Sequence, residues 1–308
     1  MLLIKFYQTN DGDEAAMQMQ IRVPATSANL GPGFDSLGIA VTLYLTITVK
    51  GRTKEWVVEH DMGADIPHDE SNMIVKTALK ILPTLPAHCF KVESDIPLAR
   101  GLGSSSSAIV AGIEMANQLG KMNLTNEEKI QLATELEGHP DNVAPAILGD
   151  FVVSTFVKQK NTSIKGHFPE LQFMAYIPHT ELLTTESREV LPQRLPFKEA
   201  VSAGSIGNAL VAALLTGRTK QAGCLMEEDL YHEKYRLKLV PHLTKIRSIG
   251  HKHNSMATYL SGAGPTVMTI IPGQEAAAFS QEIREAGLTG KLVALDVDRQ
   301  GTFVTHNR

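Results

Sequence analysis

Cysteine is scarce in this chain. Only Cys89 and Cys224 occur in 308 residues, which excludes a disulfide framework and the paired spacing of a cysteine metal site and fits a reducing, cytoplasmic setting. Long apolar runs are missing as well. No uninterrupted stretch reaches the roughly 20 residues that span a bilayer, so no membrane partner is expected. A basic excess is also lacking: 29 Lys and Arg stand against 33 Asp and Glu, a net charge of −4. A nucleic acid would call for a basic face, and none is expected as a partner. There is no internal repeat and no low-complexity tract. Met1-Leu-Leu-Ile-Lys-Phe is a short apolar run, but Asp11, Asp13 and Glu14 follow without a small-residue cleavage site, which makes a poor signal peptide. Residues 1–17 read as a flexible N-terminal extension, with Met17 or Met19 an alternative start. The rest, in a chain that is 43% hydrophobic, can bury a substantial core and suits two domains.

The stretch richest in chemistry is Pro97-Leu98-Ala99-Arg100-Gly101-Leu102-Gly103-Ser104-Ser105-Ser106-Ser107-Ala108. Before it, Phe90 and Val92 alternate with Lys91 and Glu93, the period of a half-buried strand. After it, residues 108–119 are rich in helix formers and close on Gly120. The glycines and serines therefore lie at a strand-to-helix turn. Gly101 and Gly103 permit close backbone approach, and the serines put free N–H groups and hydroxyls at a helix N-terminus, where negative charge is favoured. Phosphate is the usual occupant of such a site. No Gly-Lys-Ser/Thr follows, so this is not a Walker A loop. The third glycine of a dinucleotide fingerprint and its ribose-binding acid are also missing.

Along the rest of the chain, a strand from Ile21 breaks into a Gly/Pro loop carrying Thr26, Ser27, Asn29 and Asp35. Leu43–Val49 alternates as a second strand, with Trp56–Glu59 as its expected hairpin partner. Ser71 or Asn72 can cap a helix that runs to Pro83. Thr125-Asn-Glu-Glu128 is a capping box that opens a helix ending at Glu137-Gly138. His139 and Asp141-Asn142 then form a turn into a short helix, where Asp141 alone would pass for an N-cap. Phe151–Val157 and Gln172–Ile177 read as strands, and polar Lys158–Gly166 as a domain boundary. Thr184 and Arg188 lie on a solvated helix start. A long helix is expected over Phe197–Leu215, with Gly204 and Gly207 as weak points, then a charged helix over Glu227–Leu239 containing Arg236 and a third over Pro241–Ile249. His251 and His253 have the spacing of ligands on a strand but no partner cluster, and read as surface residues. Strand Ala257–Leu260, the glycine loop Ser261-Gly262-Ala-Gly264-Pro265, strand Thr266–Ile271, helix Glu275–Ala286 and a last strand Lys291–Val297 complete the chain.

Three of these strings resemble the motifs of the GHMP kinases: Pro24-Ala-Thr-Ser-Ala-Asn29-Leu-Gly-Pro-Gly-Phe-Asp35, Pro97 to Ser105, and the loop at Ser261–Pro265. The first, with Glu137-Gly-His-Pro-Asp-Asn-Val-Ala-Pro, is most similar to the homoserine-phosphorylating branch. The resemblance covers roughly residues 19–300. It implies an α/β (α+β) fold of two domains, a ribosomal-protein-S5-domain-2-like ATP-binding domain over residues 18–165 and a ferredoxin-like domain over 166–308, the last strand returning to the first. It implies a homodimer, ATP and Mg²⁺ as cofactors, and L-homoserine as the acceptor, phosphorylated on its hydroxyl to O-phospho-L-homoserine in threonine biosynthesis. The loop Pro97–Ser107 would hold the ATP phosphates, Ser105 and Glu137 the Mg²⁺, and Asn72 would lie beside the adenine. Arg188, Arg236 and Thr184 would bind the substrate carboxylate and Asp35 its ammonium. Asn29, His139 and Asn142, with Gly262 and Gly264 in the third motif, would complete the site. Asp141 matches a position proposed as general base in related kinases, while direct attack without a strong base has also been read for this branch. A free carboxylate, with a pKa of about 4, is a poor base for an alcohol, so alignment is expected to dominate. A mevalonate or sugar kinase would leave Asp35 without a purpose, and a sugar kinase the paired arginines as well, while a non-catalytic relative would be expected to lose Glu137 or Asn142.

Overall fold

The computed structural model describes residues 18–307. The extension expected over residues 1–17 lies outside the described residues. The chain runs β1 Gln18–Ala28, β2 Leu37–Arg52, β3 Val57–Glu59, α1 Met73–Ile81, β4 His88–Ser94, α2 Ser104–Leu119, α3 Asn126–Glu137, α4 Val143–Leu148, β5 Phe151–Val157, β6 Lys160–Gly166 and β7 Gln172–Ile177. It continues through α5 Thr184–Glu189, α6 Phe197–Leu215, α7 Thr219–Met226, α8 Glu233–Arg236, α9 His242–Lys252, β8 Ala257–Leu260, β9 Val267–Ile271, α10 Ala276–Glu285, β10 Lys291–Leu295 and β11 Phe303–Asn307.

Two sheets organise these elements. The first has the order β11-β1-β2-β4-β3, with β5 pairing β2 and β6 beyond β5. Its alternating apolar residues, among them Ile21, Val23, Ile39, Ile47, Phe90 and Val92, pack with Val110, Ala111, Ile113 and Ala144 of the helices in one core. The second sheet has the order β10-β7-β9-β8 and buries Met174, Tyr176 and Val267 against Leu243, Ile246, Phe279 and Ile283. Helix α2 has buried residues on nearly all its faces, which is why its sequence is almost free of charge, with polar residues gathered at the serine end and at Glu114, Asn117 and Gln118, where the last two donate to the Glu114 carboxylate. Helix α3 carries the complete Thr125/Glu128 capping box, and Gly138 closes it in the left-handed region. Its C-terminal end delivers Glu137.

Several expectations are corrected. Trp56–Glu59 does not form a hairpin with β2. One edge of β2 is held by β1 and the other, from Leu45 to Arg52, by β4, so β3 pairs instead in parallel with the far edge of β4. Within Lys158–Gly166, the stretch read as a domain boundary, Lys160–Gly166 is a strand that pairs antiparallel with β5 over its whole length. Lys291–Leu295 is not the last strand and belongs to the second sheet; the strand that joins β1 is β11. Helix α6 passes through Gly204 and Gly207 without interruption. The helix expected over Glu227–Leu239 shrinks to α8. The Asp229 carboxylate accepts the N–H groups of Tyr231, His232 and Glu233 at 2.9, 2.8 and 2.7 Å, so it competes with the helical ladder as short polar side chains do. His251 and His253 lie at the end of α9, not on a strand, and His253 is half-buried against Glu275 and Glu282.

Candidate active site

The three glycine-bearing loops meet. Gly101 has φ 75° and Gly103 φ 70°, so both occupy the left-handed region, as does Ala99 at 50°. This turns the backbone from the end of β4 into the first turn of α2. The loop is tied to its neighbours by hydrogen bonds: Thr26 N donates to Leu102 O at 3.2 Å, and Thr266 N to Arg100 O at 3.3 Å. Ser261 Oγ donates to Gly101 O at 2.6 Å and shares a hydrogen bond of 2.8 Å with Ser27 Oγ, which also meets Tyr259 OH at 3.0 Å.

A cavity of about 250 Å³ opens at this junction, lined by Asn29, Phe34, Asp35, Ala99, Arg100, Gly101, Gly103, Ser104, Ser105, Ser106, Glu137, His139, Asp141, Asn142, Thr184, Arg188, Arg236 and Gly262, among others. A larger, more apolar cavity of about 730 Å³ lies alongside, lined by Leu98, Asn72, Met62, Met73 and Ile109 among others. Ala99, Ser104, Ser105 and Leu183 border both. One polar chamber and one apolar chamber thus flank the N-terminus of α2. Not every expected residue reaches them. Leu102 and Ser107 are buried, and the Ser107 hydroxyl bonds the carbonyls of Pro24 and Gly103. Arg100 borders the polar cavity but turns its guanidinium onto the carbonyls of Leu98, Pro178 and His179 and pairs with Glu181 at 3.2 Å. Pro97 and Gly264 line neither cavity.

The polar chamber is strongly charged. Asp35 and Arg188 form a two-pronged pair at 2.6 and 3.1 Å. Burial would lower the Arg188 pKa, but the hydrogen bonds and charge of Asp35, then Asp141 and Glu137, outweigh it and raise it. His139 Nδ1 lies 2.5 Å from Asp141 Oδ1. Burial there is outweighed by Asp141, with Asp35 adding, so the His139 pKa is raised. Thr26 donates its hydroxyl to Asn142 Oδ1 at 2.8 Å, which leaves the Asn142 amide N–H groups to the chamber. Asn29 is buried, donating to Gly262 O at 3.1 Å and accepting from Asp35 N at 3.1 Å. It is a brace between the first and third loops.

Arg236 is 1% exposed. Its Nε donates to Ser187 O at 3.0 Å, and its Nη1 meets Gly262 O at 3.0 Å and His232 Nδ1 at 3.1 Å. No carboxylate pairs with it among the described residues. Burial, and then repulsion from Arg188, push its pKa down to about 10, so it remains charged at neutral pH. Two arginines that repel across a chamber favour an anion between them.

Glu137 Oε1 accepts from Ser106 Oγ at 2.9 Å, whereas Ser105 Oγ points to Met73 Sδ at 3.6 Å. The serine that meets Glu137 is therefore the next one along, a consequence of successive residues on a helix pointing about 100° apart. Asn72 does cap α1: its Oδ1 accepts from Ile74 N at 3.0 Å and its Nδ2 donates to Pro67 O at 2.8 Å. It borders the apolar chamber with its amide already engaged. Sequence reasoning gave no role to Phe34, whose ring lies 5.4 Å from the Arg188 guanidinium and 5.5 Å from that of Arg236. Its place between Gly33 and Asp35 of the first motif was the available signal. His232 carried none.

Two family models match: the GHMP kinases N terminal domain over residues 72–150 and GHMP kinases C terminal over residues 210–288. The chain belongs to the GHMP kinase family. Among its relatives, homoserine kinase from Streptococcus equi subsp. zooepidemicus is 52% identical over 283 residues, 92% of this chain and 99% of that one. Homoserine kinase from Limosilactobacillus fermentum is 54% identical, covering 93% of this chain and 100% of that protein. A crystal structure of homoserine kinase from Cytophaga hutchinsonii superposes with a TM-score of 0.82 at 26% identity, covering 98% and 100% of the two chains. The two-domain GHMP kinase fold expected from the three motifs is the fold found, and the chain is a kinase. No helix among the described residues is long and apolar enough to cross a membrane.

Proposed function

We propose that this GHMP kinase transfers the γ-phosphoryl group of ATP to the hydroxyl of L-homoserine, giving O-phospho-L-homoserine and ADP. The observation that carries this reading is the charge pattern of the polar chamber. A zwitterionic amino acid needs an anion for its ammonium and cations for its carboxylate, and Asp35, Arg188 and the carboxylate-free Arg236 line one cavity. A sugar or mevalonate would leave part of this set unused. The substrate named for the relatives agrees with it. In this reading the adenosine lies in the apolar chamber and the triphosphate passes the N-terminus of α2, whose N–H groups favour anions. Phosphoryl transfer needs alignment and charge stabilisation more than covalent chemistry. Asn142, held by Thr26, and His139, held by Asp141, would position the hydroxyl.

Magnesium favours oxygen donors and keeps few protein ligands. A carboxylate facing a serine hydroxyl at the end of α2 fits that preference, so Glu137 with Ser106 or Ser105 would hold the ion. Bound there, Mg²⁺ supplies the neutralising charge that a P-loop lysine would give elsewhere. Glu137→Gln is expected to raise the Mg²⁺ concentration for half-maximal activity about 10-fold or more, and Ser106→Ala by a smaller factor, because partners that orient a ligand contribute to metal affinity. Direct Mn²⁺ binding followed by electron paramagnetic resonance checks both. Unchanged metal dependence in Glu137→Gln would move the ion elsewhere.

The reading is tested by measuring ADP release with homoserine, serine, threonine, mevalonate and galactose. Homoserine is expected to be turned over with the highest kcat/KM. Turnover of mevalonate without homoserine would overturn the proposal.

A further inference from the structure

We infer that His232 is a positioning residue that holds Arg236 toward the substrate carboxylate as a neutral hydrogen-bond acceptor, so that the arginine is fixed without losing its charge. The inference rests on the reading of Arg236 as a carboxylate ligand. His232 is completely buried. Its Nε2 lies 2.9 Å from Gly31 O, a carbonyl that can only accept. Its Nδ1 lies 3.1 Å from Arg236 Nη1, a group that can only donate. Both ring nitrogens are therefore satisfied by one neutral tautomer, with the proton on Nε2. The Asp229 carboxylate fixes the backbone beneath by accepting His232 N and Glu233 N. The Phe34 ring stacks on the imidazole with centroids 5.4 Å apart and also lies under the Arg236 guanidinium.

The partners of Arg236 are all neutral: the carbonyls of Ser187 and Gly262 and the His232 nitrogen. They engage Nε and Nη1, and no hydrogen bond to Nη2 is found among the described residues. A carboxylate in place of the imidazole would hold the guanidinium equally well in geometry. It would also neutralise it and compete with the incoming carboxylate. A neutral acceptor avoids that competition. His232 further ties Arg236 to Gly31 in the first motif loop, so that the loop carrying Asp35 and the arginine move as one unit.

The experiment compares His232→Asn, His232→Asp and His232→Ala in the full-length enzyme. Asn and Asp have the same shape and both offer an oxygen acceptor, so charge alone separates them. His232→Asn is expected to keep KM for L-homoserine within about threefold of wild type, while His232→Asp and His232→Ala raise it about tenfold or more. KM for Mg·ATP is expected to stay put in all three. In an Arg236→Ala background the effect of His232→Ala should largely vanish, because the two act through one contact. Equal homoserine KM in the Asn and Asp variants would overturn the inference. So would a parallel rise in KM for ATP, or additive effects in the double variant. Failure of the wild-type enzyme to use homoserine would instead overturn the substrate reading.

Discussion

Arg236→Met is expected to weaken the use of L-homoserine while changing stability little. Loss of a charge-assisted bond to the substrate carboxylate is worth about 1.5–3 kcal/mol, or roughly ten- to a hundredfold in kcat/KM. The effect on folding is smaller because two contributions oppose. Burial lowers the Arg236 pKa from 12.5 to about 10, so at every pH below 10 the folded chain holds this proton less tightly than the unfolded chain does. The charge therefore costs stability, about 3 kcal/mol. Against this stand its bonds to Ser187 O and Gly262 O, worth a similar amount together. Gly262 O keeps a second donor in Asn29. Steady-state kinetics on homoserine and on ATP, with a thermal melt beside them, separate the two effects. A large drop in Tm with unchanged homoserine kinetics would make Arg236 a structural residue. Arg188→Ala should also weaken homoserine binding, but by another route, since it frees Asp35 from its pair.

Gly101→Ala is expected to destroy the turn proposed to hold the ATP phosphates. At φ 75° an L side chain meets its own backbone, at a cost of about 1–2 kcal/mol. A Cβ would also lie 2.5 Å from Ser261 O and 2.8 Å from Gly264 O. Both neighbours are backbone of the third glycine loop, so relief requires the loops to separate. That would break the Ser261–Gly101 bond and open the floor of the polar chamber. Gly217→Ala is the control: φ is 68°, but nothing lies within 4 Å of the added carbon. It should cost about 1 kcal/mol and leave ATP affinity alone, whereas Gly101→Ala should lose more than about tenfold in ATP affinity as well as stability. Isothermal titration with ATP and urea denaturation provide the comparison. ATP affinity like that of wild type in Gly101→Ala would mean that the turn does not hold the phosphates.

Much of the fold was legible because it rests on local chemistry. The capping box at Thr125, the left-handed Gly138 and the serine-rich start of α2 each satisfy backbone groups within a few residues, and such signals survive in the sequence. Expectations failed where another contact competed. Trp56–Glu59 alternates as a strand should, but its partner was decided by which edge of β2 remained open. Residues 227–232 have helical composition, yet the Asp229 carboxylate captures the N–H groups that a helix would need. The resemblance named the candidate site as a set of residues, most of which line the two cavities while Pro97, Leu102, Ser107 and Gly264 do not, and it gave little of their contacts. Ser105 and Ser106 look equivalent in sequence. Only the direction of α3 settles that Ser106 meets Glu137.

The amino-acid string alone was enough for the kinase family and the strand-to-helix turn with its serine end, and it named the charged residues Asp35, Arg188 and Arg236. The motifs behind the first two are runs of neighbours in sequence, whereas the three charged residues were named one by one from the resemblance. The tertiary structure decided which groups meet: Thr26 with Asn142, 116 residues apart, Asp35 with Arg188, 153 apart, and Ser27 with Ser261, 234 apart. It also decided that Arg236 is buried against a histidine nitrogen and two carbonyls, with no carboxylate paired to it among the described residues. Such facts depend on sheet pairing and on the packing of distant segments, and a local pattern does not encode them.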